Sequence, residues 1–192
     1  DAFEEPVLLI KLAWGGKSLA EDFRPPSLEG DTGPYYVEVK KKTKEILETA
    51  EQLFPELKGN SFELTGFGWH QGWNDRINQS FNDSYEKNMI QFIKDVRRDL
   101  ETPDLPFVIA ETGMSGLEEK HPRALALMAS QKAVADYPEF KGNVAFVPTQ
   151  EFYRPPDDSP SKQAYHWNNN AETYYLIGKH MGEAILSLLN LN

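Results

Sequence analysis

Three features of the sequence predict an α/β fold built on a parallel sheet. Short apolar runs alternate with amphipathic helical stretches four times along the chain. That order winds helices over both faces of a parallel sheet. The runs are only seven to nine residues long, which suits buried strands and is far short of the ~20 residues of a membrane span. Each run is followed by a polar or glycine-rich cluster, as expected where strands end at a binding edge. The 192 residues suffice for one domain, 1–192, with a full core.

The elements follow in order. PVLLIKLAW (6–14) enters after a proline and reads as the first strand. GPYYVEVKKKTKEILETAEQLF (33–54) carries Tyr36, Val39, Thr43, Ile46, Leu47, Ala50 and Leu53 on one helical stripe. SFELTGFGW (61–69) is the second strand. SYEKNMIQFIKDVRRDL (84–100) is a helix with Tyr85, Met89, Phe92, Ile93, Val96 and Leu100 toward the core. LPFVIAETG (105–113) is the third strand, 122–137 the third helix, and NVAFVPT (143–149) the fourth strand. The last helix starts behind Asn170, whose side chain can cap its free N–H groups.

Charge and composition exclude several functions. A net charge of −10 argues against nucleic-acid and anionic-membrane partners, which require a basic face. With no cysteine there is no disulfide, thiol nucleophile or thiolate metal site. The isolated histidines lack a second ligand at metal spacing, so neither a metal nor another cofactor is expected. The opening DAFEEP has no basic stretch of the signal-peptide kind and no initiator Met, so the natural N-terminus is expected to lie elsewhere.

The strand-end clusters hold the candidate chemistry. In WGGKSL (14–19) the paired glycines, Gly16 among them, permit close backbone approach to a ligand or a tight turn. The segment lacks phosphate-loop spacing, and Ser18 lacks the G-x-S-x-G setting of a nucleophile. In GFGWHQGWND (66–75), Gln71 and Asn74 carry amides able to donate to a developing oxyanion, while Asp75 could cap the next turn. Trp69, His70 and Trp73 in the same stretch, with Trp167 farther on, are candidate substrate contacts, and Trp14 and Tyr153 could add stacking faces. His166, in the loop QAYHWNNN, is placed to act as a general base. An orienting acid could come from Asp157, Asp158 or Glu111, whereas His121 and His180 look structural or exposed.

WGGKSLAEDFRPPS, WHQGWND and YHWNNNAETYYLIG together resemble the second, third and fifth sequence blocks of the SGNH-hydrolase superfamily. They are most similar to its sialate O-acetylesterase-like carbohydrate esterase branch. That branch reads W-x-Q-G-E-x-D in its third block; here Trp69, Gln71, Gly72 and Asp75 match and Trp73 stands where the Glu would be. Gly72, Asn74 and Asp75 also satisfy the superfamily's G-x-N-D. The last block, D-x-x-H, keeps His166 but has Gln163 in the place of the acid.

The resemblance implies a three-layer α/β/α, flavodoxin-like SGNH hydrolase fold with strand order 2-1-3-4-5. It also implies metal-free serine acyl transfer on a small-molecule or polysaccharide acetyl ester of the sialic acid or xylan type. His166 would be the base, and the Gly16 N–H with an amide of Gln71 or Asn74 would hold the oxyanion. The family's serine sits in a G-Q-S-N-like first block on a preceding strand, and no G-Q-S or G-D-S occurs in these residues. Three readings are therefore open: a large fragment completed by an N-terminal segment or second chain, a variant that is not hydrolytic, or Ser18 as a replacement nucleophile. A non-catalytic carbohydrate-binding domain is the alternative from another class. A periplasmic or secreted location fits the family, and the sequence itself selects no compartment. The missing strand would lie between the strands at 6–14 and 61–69, so unpaired edges are expected there.

Overall fold

A computed structural model describes residues 3–191. Its centre is a parallel sheet of three strands, β1 (Phe67–Trp69), β2 (Phe107–Ala110) and β3 (Val144–Val147), in the order β1-β2-β3. Phe67 pairs with Phe107 and Trp69 with Ile109, and Phe107 pairs in turn with Val144. Five α-helices surround it: α1 (Pro34–Leu53), α2 (Trp73–Ile77), α3 (Gln79–Asp99), α4 (Pro122–Ala135) and α5 (Ala171–Leu188). No helix among the described residues is long and apolar enough to cross a membrane.

The strand alternation divides the core into two layers. Phe67, Trp69, Phe107 and Ile109 pack with Tyr36 and Val39 of α1, Phe92 and Ile93 of α3, and Leu127 of α4. On the other face Ala110 packs with Ile177 of α5 and Trp167. The glycines at and just before β1 serve that second face. A β-carbon on Gly68 would lie 2.9 Å from Met181 Cε, and one on Gly66 2.7 Å from Ile185 Cδ1, so the GFG pattern lets α5 approach the backbone. The result is the expected three-layer α/β/α arrangement of the flavodoxin-like SGNH type.

The sheet departs from expectation at its first strand. Residues 6–14 form no regular element and join no ladder, and Leu9 is 86% exposed. Leu12 and Trp14 reach the core, whereas Val7 and Leu9 lie outside it. The physical reason is the want of a bonded neighbour: a strand needs hydrogen bonds along an edge, and none of the described residues offers this segment one. Accordingly β1 is bonded only to β2. The other strands form but are shorter than the apolar runs that announced them, because the flanking residues turn out of the ladder at once. The helix expected over 84–100 is longer at its start: α3 begins at Gln79 behind Asn78, whose side chain accepts from the Ser80 and Phe81 N–H groups. Short α2 was not anticipated.

Candidate functional site

The carboxyl ends of the strands carry the clusters, and buried hydrogen bonds fix how they meet. The carboxylate of Asp75, 0% exposed, accepts from the N–H groups of Leu19 (2.8 Å) and Ala20 (3.1 Å) and from Gln71 Nε2 (2.6 Å). A side chain expected to cap a local turn thus clamps the WGGKSL loop onto the start of α2. Gln71 Nε2 also donates to the Lys17 carbonyl (2.8 Å), and Asn74 Nδ2 donates to the Gly16 carbonyl. Gly16 has φ 68°, a left-handed turn that suits glycine, and its N–H finds no acceptor among the described residues. Burial, opposed by its three donors, holds the Asp75 pKa above the usual carboxylate value.

The backbone of Gln71 is locked from below. Its carbonyl accepts from Gln131 Nε2 (3.1 Å) and the Tyr85 hydroxyl (3.3 Å), and that hydroxyl accepts from Trp69 Nε1 (3.2 Å). Gly72 allows this fit, since a β-carbon there would stand 2.5 Å from Thr112 Cγ2. Glu111, at the end of β2, accepts from the N–H groups of Thr149 (2.9 Å) and Gln150 (3.3 Å), which ties β2 to the end of β3. Burial raises its pKa too. It faces these amides and is not bonded to His166.

His166 sits in the turn before α5. Trp167, Asn168 and Asn169 follow it with φ of 50°, 52° and 56°, three successive left-handed residues without a glycine. Such backbone persists only when its surroundings over-determine it. Here Trp167 is buried at 1% exposure, Asn168 Nδ2 donates to the Arg154 carbonyl (2.9 Å), and Asn169 Nδ2 donates to Ser161 Oγ (2.9 Å). Asn170 then caps α5 through the Thr173 N–H (3.2 Å), as expected. His166 itself is exposed.

The two halves of the site lie at the same sheet edge. Trp73, beside Asn74, lies 5.3 Å from the ring of Tyr165, beside His166. His70, beside Gln71, lies 6.3 Å from the ring of Trp167. Through these neighbours the 70–74 segment and the 165–167 turn lie against each other. Two expected substrate contacts do not reach it. Trp69 is 6% exposed and packs at 4.6 Å on Phe92, and Trp167 is enclosed, so neither presents a face to a sugar. Trp69 shares the inward strand face of Phe67, while Trp167 is turned in by the left-handed backbone. Trp73 is half-buried and His70 exposed. Trp14 packs on Tyr35 at 4.9 Å, and Tyr153 fills the space beside Gly116.

Ser18 is sealed into its own turn. It is 1% exposed, its hydroxyl donates to Asp22 Oδ2 (3.0 Å), and Ser18 Oγ accepts from the Glu21 N–H (3.2 Å). Sequence reasoning missed Tyr165, 42% exposed and in contact with His166, although its position next to the histidine was visible. Among the described residues no group of three or more His, Asp or Glu is placed to hold a metal ion.

His70 provides a pH signature. Solvent reaches the residue, yet the surrounding chain crowds its imidazole, and that desolvation pulls its pKa down to about 4. The unfolded chain takes up this proton near 6.5, so between pH 6.5 and 4 the unfolded state binds more protons and stability falls with pH. In urea unfolding from pH 7 to 4.5, His70→Gln is expected to lose less stability than the parent. Equal losses would show that the folded chain protonates His70 normally.

An open-edged parallel sheet under helices on both faces, with glycine-loop, amide and histidine clusters at one edge, defines an SGNH-type esterase architecture. Residues 2–187 match the family model described as carbohydrate esterase, sialic acid-specific acetylesterase, and the chain belongs to that family. Its function is thus of the carbohydrate acetylesterase type. No curated protein and no solved structure matches it significantly.

Proposed function

We propose that this chain forms the oxyanion and base side of a serine esterase that removes O-acetyl groups from carbohydrates, and that the nucleophile enters on a strand docked against the free edge of β1. What supports the reading is the Asn74–Gly16 hydrogen bond together with the contact of Trp73, beside Asn74, on Tyr165, beside His166, within a chain of the acetylesterase family. A serine there attacks the acetyl carbonyl while His166 takes its proton and passes it to the sugar oxygen. Water then releases acetate from the acyl-serine by the same base.

The hydrogen-bond inventory favours Asn74 over Gln71 as the side-chain oxyanion donor. A primary amide has two N–H donors. Gln71 engages both, on Lys17 and Asp75, whereas Asn74 engages one on Gly16 and keeps the other. The Gly16 N–H supplies a second donor. A bound sugar would meet Trp73 and His70 at the rim.

A serine hydroxyl is a weak nucleophile without a base in hydrogen-bond reach, and Ser18 is engaged with Asp22. The 192-residue chain alone is therefore expected to hydrolyse p-nitrophenyl acetate little or not at all, with Ser18→Ala unchanged. The same chain supplied with a serine-bearing strand upstream of Asp1 is expected to turn the ester over. Turnover by the bare chain that Ser18→Ala abolishes would make Ser18 the nucleophile. If the strand-supplied protein binds acetylated sugars without hydrolysing them, the domain is a carbohydrate binder and the esterase reading falls.

A further inference from the structure

We infer that Tyr165 is a positioning residue for His166, and that a stack of side chains anchored on a buried ion pair orients the imidazole here in place of a carboxylate. The inference rests on His166 being the base of the proposed esterase. Among the described residues, no acid bonds the His166 ring. Gln163 stands three residues before it, but Gln163 Oε1 accepts from Asn169 Nδ2 (3.2 Å) and its carbonyl accepts from the His166 and Asn168 N–H groups (2.8 and 3.0 Å). Asp157 and Asp158 are exposed on the preceding turn, and the Asp158 carbonyl accepts from Asn170. Glu111 is committed to the β3 end.

What touches the imidazole is aromatic. The Tyr165 ring lies 4.5 Å from it, centroid to centroid and inclined by 50°. On its far side Tyr165 meets Trp73 at 5.3 Å, and the Arg76 guanidinium lies 4.9 Å over the Trp73 ring. Arg76 is held by Glu119 at 2.9 Å, with the two side chains only 13% and 8% exposed. A rigid, desolvated pair thus anchors a line of three groups ending at the base. Cation–π and tilted aromatic contacts favour this geometry. Tyr174 completes it by donating its hydroxyl to the His166 carbonyl (3.0 Å), which fixes the backbone and leaves the ring to the stack. The two acids that the family pattern would supply, at positions 73 and 163, are both replaced in this chain, and Trp73 is a member of the stack.

Proton NMR of the 192-residue chain tests this without any catalysis. The ring protons of His166 are expected to show a ring-current displacement that Tyr165→Phe keeps and Tyr165→Ala abolishes. Tyr165 is exposed enough for both variants to fold. Identical His166 shifts in the parent and Tyr165→Ala would overturn the stack. In the strand-supplied protein, Tyr165→Ala is expected to lower kcat about tenfold and leave KM within about twofold, with Tyr165→Phe restoring kcat. A rise in KM at constant kcat would instead make Tyr165 a substrate contact and overturn the positioning role. If the parent shows the displacement but no turnover, the esterase reading fails together with any role in catalysis, while the stack stands.

Discussion

In the protein supplied with its serine, His166→Ala is expected to lower kcat on an acetyl ester by about 10³-fold or more. The size follows from how the parts depend on one another. Without the imidazole the serine keeps its proton, and the oxyanion donors at Gly16 and Asn74 stabilise an intermediate that rarely forms. The change should leave the fold intact, because His166 is exposed and the turn is held by its neighbours instead. Trp167 is buried, and Asn168 and Asn169 hold the left-handed backbone. Unchanged thermal melting beside the lost turnover is therefore the expected pair of results. Near-normal hydrolysis by the variant would remove His166 from the mechanism and leave His70 as the nearest imidazole to consider.

The long helices were legible from a stripe at helical spacing, as in α1 and α3, or from a readable start, such as Asn170 before α5, whereas short α2 offered neither. The strand positions were legible too, but not their pairing. A run such as 6–14 is apolar enough for a strand, yet whether it enters a sheet depends on a neighbour that its own residues do not encode. That the glycine loop and the amides of Gln71 and Asn74 meet followed from strand order. What each polar group does there did not follow. Asp75 reads as a local cap, and only the fold shows its carboxylate reaching across 56 residues of chain to Leu19. Trp69 could have been assigned inward, since it alternates with Gly68 and shares the face of Phe67. Trp167 could not, because three left-handed residues in succession break every periodicity from which a sequence is read.

Asp75→Ala is expected to destabilise the chain by about 3–5 kcal/mol, the largest stability loss anticipated for a single side chain at this edge. The carboxylate is the acceptor for two main-chain donors on buried residues, Leu19 and Ala20, and for one hydrogen of the Gln71 amide. Removing it strands all three, and an unmade buried bond costs far more than a made one contributes. Asp75→Asn is expected to lose less, about 1–3 kcal/mol, because its remaining oxygen can still accept while its NH₂ opposes an N–H. The pH dependence separates the charge from the shape. Burial holds the folded pKa of Asp75 above 3.8, so between 3.8 and that raised value the folded chain binds this proton more tightly than the unfolded chain. The parent gains stability from this group as pH falls into that window, and the asparagine variant, which has no proton to take up, does not. The stability gap between them, measured by urea unfolding, should therefore widen from pH 7 toward pH 4. A gap that narrows over that range would mean that Asp75 is better stabilised as a carboxylate in the fold than in water, and that its three donors outweigh its burial.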